Sequence, residues 1–268
     1  MKSRWAPRDK SVTFFLLCME RRFAIPDMIA KLHKLLSILA VNQWRWTFIC
    51  LGVAAGVEHA AILRQLRDVR CVVDIGANRG QFALVARYCF PAARIVSFEP
   101  LLSPSNIYRS VFADDKNVTL YQVAIGPEAG NVTIHVSQRD DSSSLLPISS
   151  TQNLIFPGTA EVSAETISAG PLNLYFNHSV EDEESLLKLD VQGFELQALA
   201  GCEDRLRHFT WIYVECSFIE LYEGQAFAHE VIAWLRERDF DLTGVYNVIY
   251  KYNGRAVQAD FLFSKKKC

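Results

Sequence analysis

The run Val72-Val73-Asp74-Ile75-Gly76-Ala77-Asn78-Arg79-Gly80-Gln81-Phe82 constrains the fold more than any other segment. Cys71–Ile75 is a short apolar strand closed by an acid, two glycines follow, and Phe82–Tyr88 continues as a helix that ends before Pro91. A strand that turns into a helix this tightly needs glycine, because positive φ and a missing Cβ let the backbone approach a ligand. A dinucleotide-binding turn would read G-x-G-x-x-G. Here Asn78 stands where the second glycine belongs, so a pyrophosphate loses its close approach and nicotinamide chemistry is disfavoured. Asp74 would repel a diphosphate but suits the ammonium group of a methionine moiety. Glu99 closes the second strand about 20 residues after the turn, where a carboxylate accepts both hydroxyls of an adenosine ribose. Together these residues describe an adenosyl cofactor with a positive tail.

Beyond this unit, β-branched runs alternate with helix-length segments, the pattern of a parallel sheet with crossover helices. Strands are expected at Arg94–Phe98, Val118–Ile125, Asn131–Val136, Leu186–Leu189, Trp211–Val214, Leu242–Tyr250 and Gln258–Phe263. Helices are expected from Ser103, as N-cap with Pro104 at the first helical position, and over Phe194–Ala200 and Ala226–Arg238. Ser137–Gly170 is rich in Ser, Thr, Pro and Gly without a sustained period, so it reads as a lid or substrate loop.

A chain of 268 residues fits one sizeable α/β domain with an extension. The division falls at a helical extension over 1–66 and a main domain over 67–268, with residues 70–268 expected to fold and bind cofactor alone. Ile25, Ile29, Leu32, Leu36 and Leu39 form one helical stripe in the extension, expected to pack. Leu35–Val57 is apolar, but Asn42, Gln43 and Arg45 interrupt it, and an arginine alone costs about 2.5–3.5 kcal/mol in a membrane span. With Arg21, Arg22, Lys31 and Lys34 nearby, peripheral contact with a membrane through residues 1–66 stays open. Seven scattered cysteines, odd in number and never spaced C-x-x-C, argue against a disulfide framework and a zinc knuckle. A reducing, cytoplasmic setting follows. With 28 basic against 30 acidic residues no global field recruits nucleic acid, and none is expected as a partner. The sequence does not specify an oligomeric state.

Ligands of open α/β sheets bind outside the carboxyl ends of the strands, where Asp190 and Glu215 stand. They suit a general base and its partner, or two oxygen ligands for a divalent cation such as Mg²⁺. His178, bordering the acidic run Glu181–Glu184, is a further candidate base, whereas His208 reads as solvated. Glu195 reads as a brace for the turn at Gly193. Ser142–Ser144 reads either as a ligand contact or as an ordinary mobile loop.

The chain resembles the FkbM-type methyltransferases through Asp74–Gly80, Ser97-Phe98-Glu99-Pro100, Ala124-Ile125-Gly126, Ser142-Ser143-Ser144-Leu145, Leu187–Glu195 and Glu215-Cys216-Ser217-Phe218. The resemblance implies a Rossmann-like, seven-stranded class I sheet with flanking helices, S-adenosyl-L-methionine as cofactor, and methyl transfer to an oxygen, often on a sugar or a specialised metabolite. On this reading Asp74, Gly76, Asn78, Gly80, Glu99 and Ala124 belong to the cofactor site. Asp190, Glu215 and His178 are the catalytic candidates, and a small molecule or glycan is the acceptor. One departure is Ser168, where relatives tend to carry an acid. No [DN]-P-P-[YF] segment or Pro-Cys pair marks a nitrogen or cytosine acceptor. The reading from another class is a non-catalytic adenosyl-binding module acting through its N-terminal extension.

Overall fold

The computed structural model describes residues 31–176, 184–251 and 253–266. Its centre is a seven-stranded sheet built from β1 (Cys71–Ile75), β2 (Arg94–Phe98), β3 (Val118–Tyr121), β7 (Ser185–Leu189), β8 (Trp211–Ser217), β9 (Phe240–Tyr250) and β10 (Ala256–Lys265). The spatial order is β3-β2-β1-β7-β8-β10-β9, with β10 antiparallel to both its neighbours and the other pairs parallel. β1 and β7 are buried along their whole length, as parallel strands covered on both faces must be. The chain winds outward from β1 to β3 and then returns to β7. The order therefore reverses beside β1, and the crevice of the sheet opens above the ends of β1, β2 and β7.

A smaller sheet, ordered β4-β6-β5, joins β4 (Ala124–Ile125), β5 (Gly130–Ser137) and β6 (Glu161–Gly170). It corrects two expectations. Val118–Ile125 is two strands in two sheets, because the chain leaves the main sheet after Tyr121. Ser137–Gly170 is ordered structure rather than an irregular lid: a turn at Asp140–Ser142, a helix over Ser150–Ile155, and the ten-residue β6. No apolar alternation announces β6 because its first six residues are exposed, and register comes instead from pairing along nearly all of β5. The helix expected from Ser103 starts at Leu102 with Leu101 as N-cap. There Ser105 Oγ donates to the Glu99 carbonyl at 2.9 Å, while Glu99 takes the Leu101 N–H.

Residues 31–40 are helical, and a second helix covers Asn42–Leu51. The expected packing stripe is not the buried face: Leu32 and Leu36 are exposed and Leu39 is half-buried, while Ile38, Trp44, Val53, Ala55, Ile62 and Leu63 are buried. Those residues share one apolar cluster with Val72, Leu84, Ile95 and Tyr213. Trp44 Nε1 also donates to the Leu84 carbonyl at 3.2 Å, and Gly56 N–H to the Gln81 carbonyl at 2.9 Å. Packing of this extent argues against residues 70–268 as a self-sufficient unit. Ile25 and Ile29 lie outside the described residues. No described helix is long and apolar enough to cross a membrane.

Candidate functional site

A cavity of about 580 Å³ opens above the sheet's reversal point. Its floor is the β1 turn, where Gly76 takes φ +78° and the N–H groups of Gly76 and Ala77 both donate to the Phe98 carbonyl at 3.0 Å. Asn78 takes φ +44°, a conformation that asparagine tolerates better than most residues, which is why it replaces glycine here. Its N–H donates to Glu99 Oε2 at 2.9 Å, and Leu101 N–H donates to Glu99 Oε1 at 2.8 Å. A carboxylate has about four lone-pair sites, so Glu99 keeps capacity for two more donors. Burial pushes its carboxyl up to about 7, against the lowering effect of those two N–H groups.

Of the expected cofactor residues, Gly76, Asn78, Glu99 and Ala124 line the cavity. Two do not. Asp74 is fully buried below the floor, opposite Lys188 in the β1–β7 register, with Lys188 Nζ 3.1 Å from its Oδ1. The contact is a buried ion pair. Burial raises the Asp74 carboxyl and Lys188 works against it. Asp74 thus neutralises a buried lysine instead of meeting a ligand's ammonium. Gly80 faces away, and a Cβ there would come within 2.8 Å of the Phe112 ring.

The structure brings Asp190 and Glu215 together through a residue the sequence did not single out. Gln192, at φ +55°, donates from Nε2 to Asp190 Oδ1 at 2.8 Å and to Glu215 Oε2 at 3.2 Å. Gln258 Nε2 donates to Glu215 Oε1 at 2.6 Å. Burial, then repulsion from Asp190 and Asp260, raises the Glu215 carboxyl. Tyr222 hydroxyl donates to Gln192 Oε1 at 2.6 Å, and Ser144 Oγ to the Gln192 carbonyl at 2.6 Å. The serine tract is thereby tied to the site, and Ser142–Ser144 line the cavity. Lys188 was also missed as a site residue. It lies between Asp74 and Asp190, 3.7 Å from Asp190 Oδ2, and donates to the Gly76 carbonyl at 3.2 Å. Burial would lower it, but the two carboxylates prevail and hold it at about 12. The available signal was a lysine inside the apolar run of a buried strand. Glu195 accepts the Val191 and Gly193 N–H groups at 3.2 and 3.1 Å, the bracing role expected of it. His178 lies outside the described residues.

Mg²⁺ does not fit this donor set. The Gln192 amide points its donors at the carboxylates a cation would bridge, and a hard cation wants about six oxygens. Among the described residues no cluster of three or more His, Cys, Asp or Glu has a metal-holding arrangement.

An adenosyl sulfonium does fit. Glu99 offers acceptors for ribose hydroxyls, and Asp190, Glu215, Asp140 and Asp141 line the same cavity. Among the described lining residues, Lys34, Arg79, Arg139 and Lys188 are each paired with a carboxylate, which leaves no free cation to receive a pyrophosphate. Sheet and site together define a class I S-adenosylmethionine-dependent methyltransferase. The model of the methyltransferase FkbM domain matches residues 74–242, more than half of the chain, and the chain belongs to that family. It is 25% identical over 231 residues to methyltransferase sdnD of Sordaria araneosa, covering 78% of this chain and 87% of that protein. It is 26% identical over 207 residues to the 2-O-methyltransferase NoeI of Sinorhizobium fredii, covering 73% and 79%. A solved Burkholderia thailandensis 1,6-didemethyltoxoflavin-N1-methyltransferase, with bound S-adenosylhomocysteine, is 13% identical at a TM-score of 0.42, covering 98% and 94%.

An ionised Glu99 accepting the two ribose hydroxyls would make cofactor affinity fall as pH falls through about 7. One unit either side of that value changes the ionised fraction from roughly nine tenths to one tenth. Calorimetry should therefore give a Kd for S-adenosylhomocysteine about tenfold weaker at pH 6 than at pH 8, with proton release on binding at the lower pH. A flat profile would separate Glu99 from the ribose.

Proposed function

We propose that this methyltransferase transfers its methyl group to a hydroxyl of a saccharide, glycolipid or specialised metabolite. The observation that carries the reading is the cluster Asp190–Gln192–Glu215–Gln258 on the cavity wall, two carboxylates interleaved with two amides. Such a set exchanges hydrogen bonds with several hydroxyls at once. The similarity to a protein described as a 2-O-methyltransferase supports an oxygen acceptor. Asp190-Val191-Gln192-Gly193 also occupies the loop where amino-group enzymes of this fold carry [DN]-P-P-[YF].

When bound, S-adenosylmethionine supplies an electrophilic methyl group on a sulfonium. Glu99 would hold its ribose, in the cavity that the β1 turn also lines. Asp190 and Glu215, bridged by the Gln192 amide, orient the acceptor hydroxyls. Aligning two bound reactants can remove on the order of 7–11 kcal/mol of barrier, so positioning supplies much of the rate.

Tritiated S-adenosylmethionine, incubated with the full chain and a panel of p-nitrophenyl glycosides and phenols, tests the reading. Label should pass to at least one hydroxyl compound, and EDTA should leave the rate unchanged. Asp190→Asn should raise KM about tenfold or more, the worth of one charged hydrogen bond, with S-adenosylhomocysteine affinity intact. Loss of activity in EDTA with recovery in Mg²⁺ would overturn the donor-set argument. Tight cofactor binding without transfer to any acceptor would favour the non-catalytic module.

A further inference from the structure

His59 and Asp260 lie outside the segment that matches the family, yet His59 lines the same cavity and forms a dyad with the buried Asp260. His59 ends a short 3₁₀ turn, Val57–His59, in the N-terminal part of the chain. Its ring is fixed edge-on against Phe82 at 5.4 Å and against Tyr213 at 5.6 Å. Nδ1 lies 3.1 Å from the Tyr213 hydroxyl oxygen and 3.4 Å from Asp260 Oδ2.

The tautomer follows from counting protons. Tyr213 donates its single hydroxyl proton to Asp260 Oδ2 at 2.8 Å, and Asn247 Nδ2 donates to the same oxygen at 2.7 Å. Burial and the charge of Asp260 keep the phenol protonated. Burial works to raise Asp260, but His59, Asn247 and Tyr213 outweigh it and leave the carboxyl below its ordinary value. Both neighbours of Nδ1 are then acceptors toward it, so Nδ1 must carry the imidazole proton. In the neutral ring Nε2 is then the nitrogen with the lone pair, and it has no hydrogen-bond partner among the described residues. Other charged groups around the ring are Lys188 on β7, whose Nζ sits 5.4 Å over the Phe82 ring, and buried Asp74 on β1. Glu215 is the β8 partner of Asp260, and Glu58, next to His59, is tied to Lys34.

We propose that His59 is the general base for the acceptor hydroxyl, with Asp260 and Tyr213 positioning it. This rests on the hydroxyl-methylation reading above. The acceptor O–H bond breaks with its proton passing to His59 Nε2, the oxygen forms a bond to the methyl carbon, and the carbon–sulfur electron pair stays on sulfur. Asp260 balances the imidazolium until its proton reaches solvent. Asp190 is less suited to that task, since its Oδ1 already accepts from Gln192 and its Oδ2 faces Lys188.

The first test needs no acceptor. Long-range ¹H–¹⁵N spectra of the full chain at pH 8 with S-adenosylhomocysteine, assigned by loss of signal in His59→Asn, should show a protonated Nδ1 and a bare Nε2. Asp260→Asn should shift population to the Nε2–H tautomer. A proton on Nε2 in the wild type would overturn the proposal. On any glycoside that the wild type methylates, His59→Asn should lower kcat by 10²–10⁴-fold. Its melting temperature and S-adenosylhomocysteine Kd should stay within error of the wild type. Wild-type kcat in that variant, or loss of cofactor affinity with it, would also overturn the assignment. Should the wild type methylate no glycoside or phenol, the hydroxyl reading fails while the tautomer still decides the state of His59.

Discussion

Replacing Gly76 with alanine should destabilise the protein by on the order of 2–5 kcal/mol, a large share of the 5–15 kcal/mol typical of a folded domain. A Cβ at this position would lie 1.9 Å from the Asp190 carbonyl oxygen and 2.9 Å from its carbon, so backbone has to move. The positive φ of +78° adds the strain of a left-handed residue. The displaced segment carries Asp190 and Gln192, so the cavity wall moves as well. Gly224→Ala is the control, because it has a similar φ of +74° but nothing within 4 Å of the added atom. Urea denaturation should show a much larger loss at Gly76 than at Gly224. Equal losses would mean that the contact between the β1 and β7 turns is not what excludes a side chain.

Glu99→Ala should abolish measurable binding of S-adenosylhomocysteine. Two charge-assisted hydrogen bonds to a ribose are worth about 1.5–3 kcal/mol each, so Kd should weaken by roughly two to four decades. The truncation also strips the acceptor from the N–H groups of Asn78 and Leu101, so the turn itself loosens. A thermal melt therefore has to accompany the calorimetry. A variant that stays folded yet keeps wild-type affinity would remove Glu99 from the cofactor site.

Most of the sheet was legible because its strands are short apolar runs punctuated by glycine or acid, and parallel strands buried on both faces leave that signature. The turn at Gly76 was legible for a related reason: few residues tolerate its backbone. What escaped was structure held together by pairing or by distant side chains. β6 is exposed over most of its length and has no apolar period, so only its partner β5 reveals it. Asp74 was legible as a special residue but assigned the wrong neighbour, since its partner Lys188 is set by strand register. His59, Tyr213 and Asp260 come from three segments far apart in the chain, and no local spacing links them. Gln192 stood inside a recognised motif, yet its bridge between Asp190 and Glu215 depends on a left-handed backbone that its residue type does not announce.

Calorimetric titration of the full chain with S-adenosylhomocysteine, and separately with NAD⁺, tests the central claim most directly. The arrangement of Glu99, the β1 turn and a cavity whose described lysines and arginines are all paired predicts one molecule of S-adenosylhomocysteine bound per chain and no heat from NAD⁺. Saturable binding of NAD⁺ with none of S-adenosylhomocysteine would contradict it.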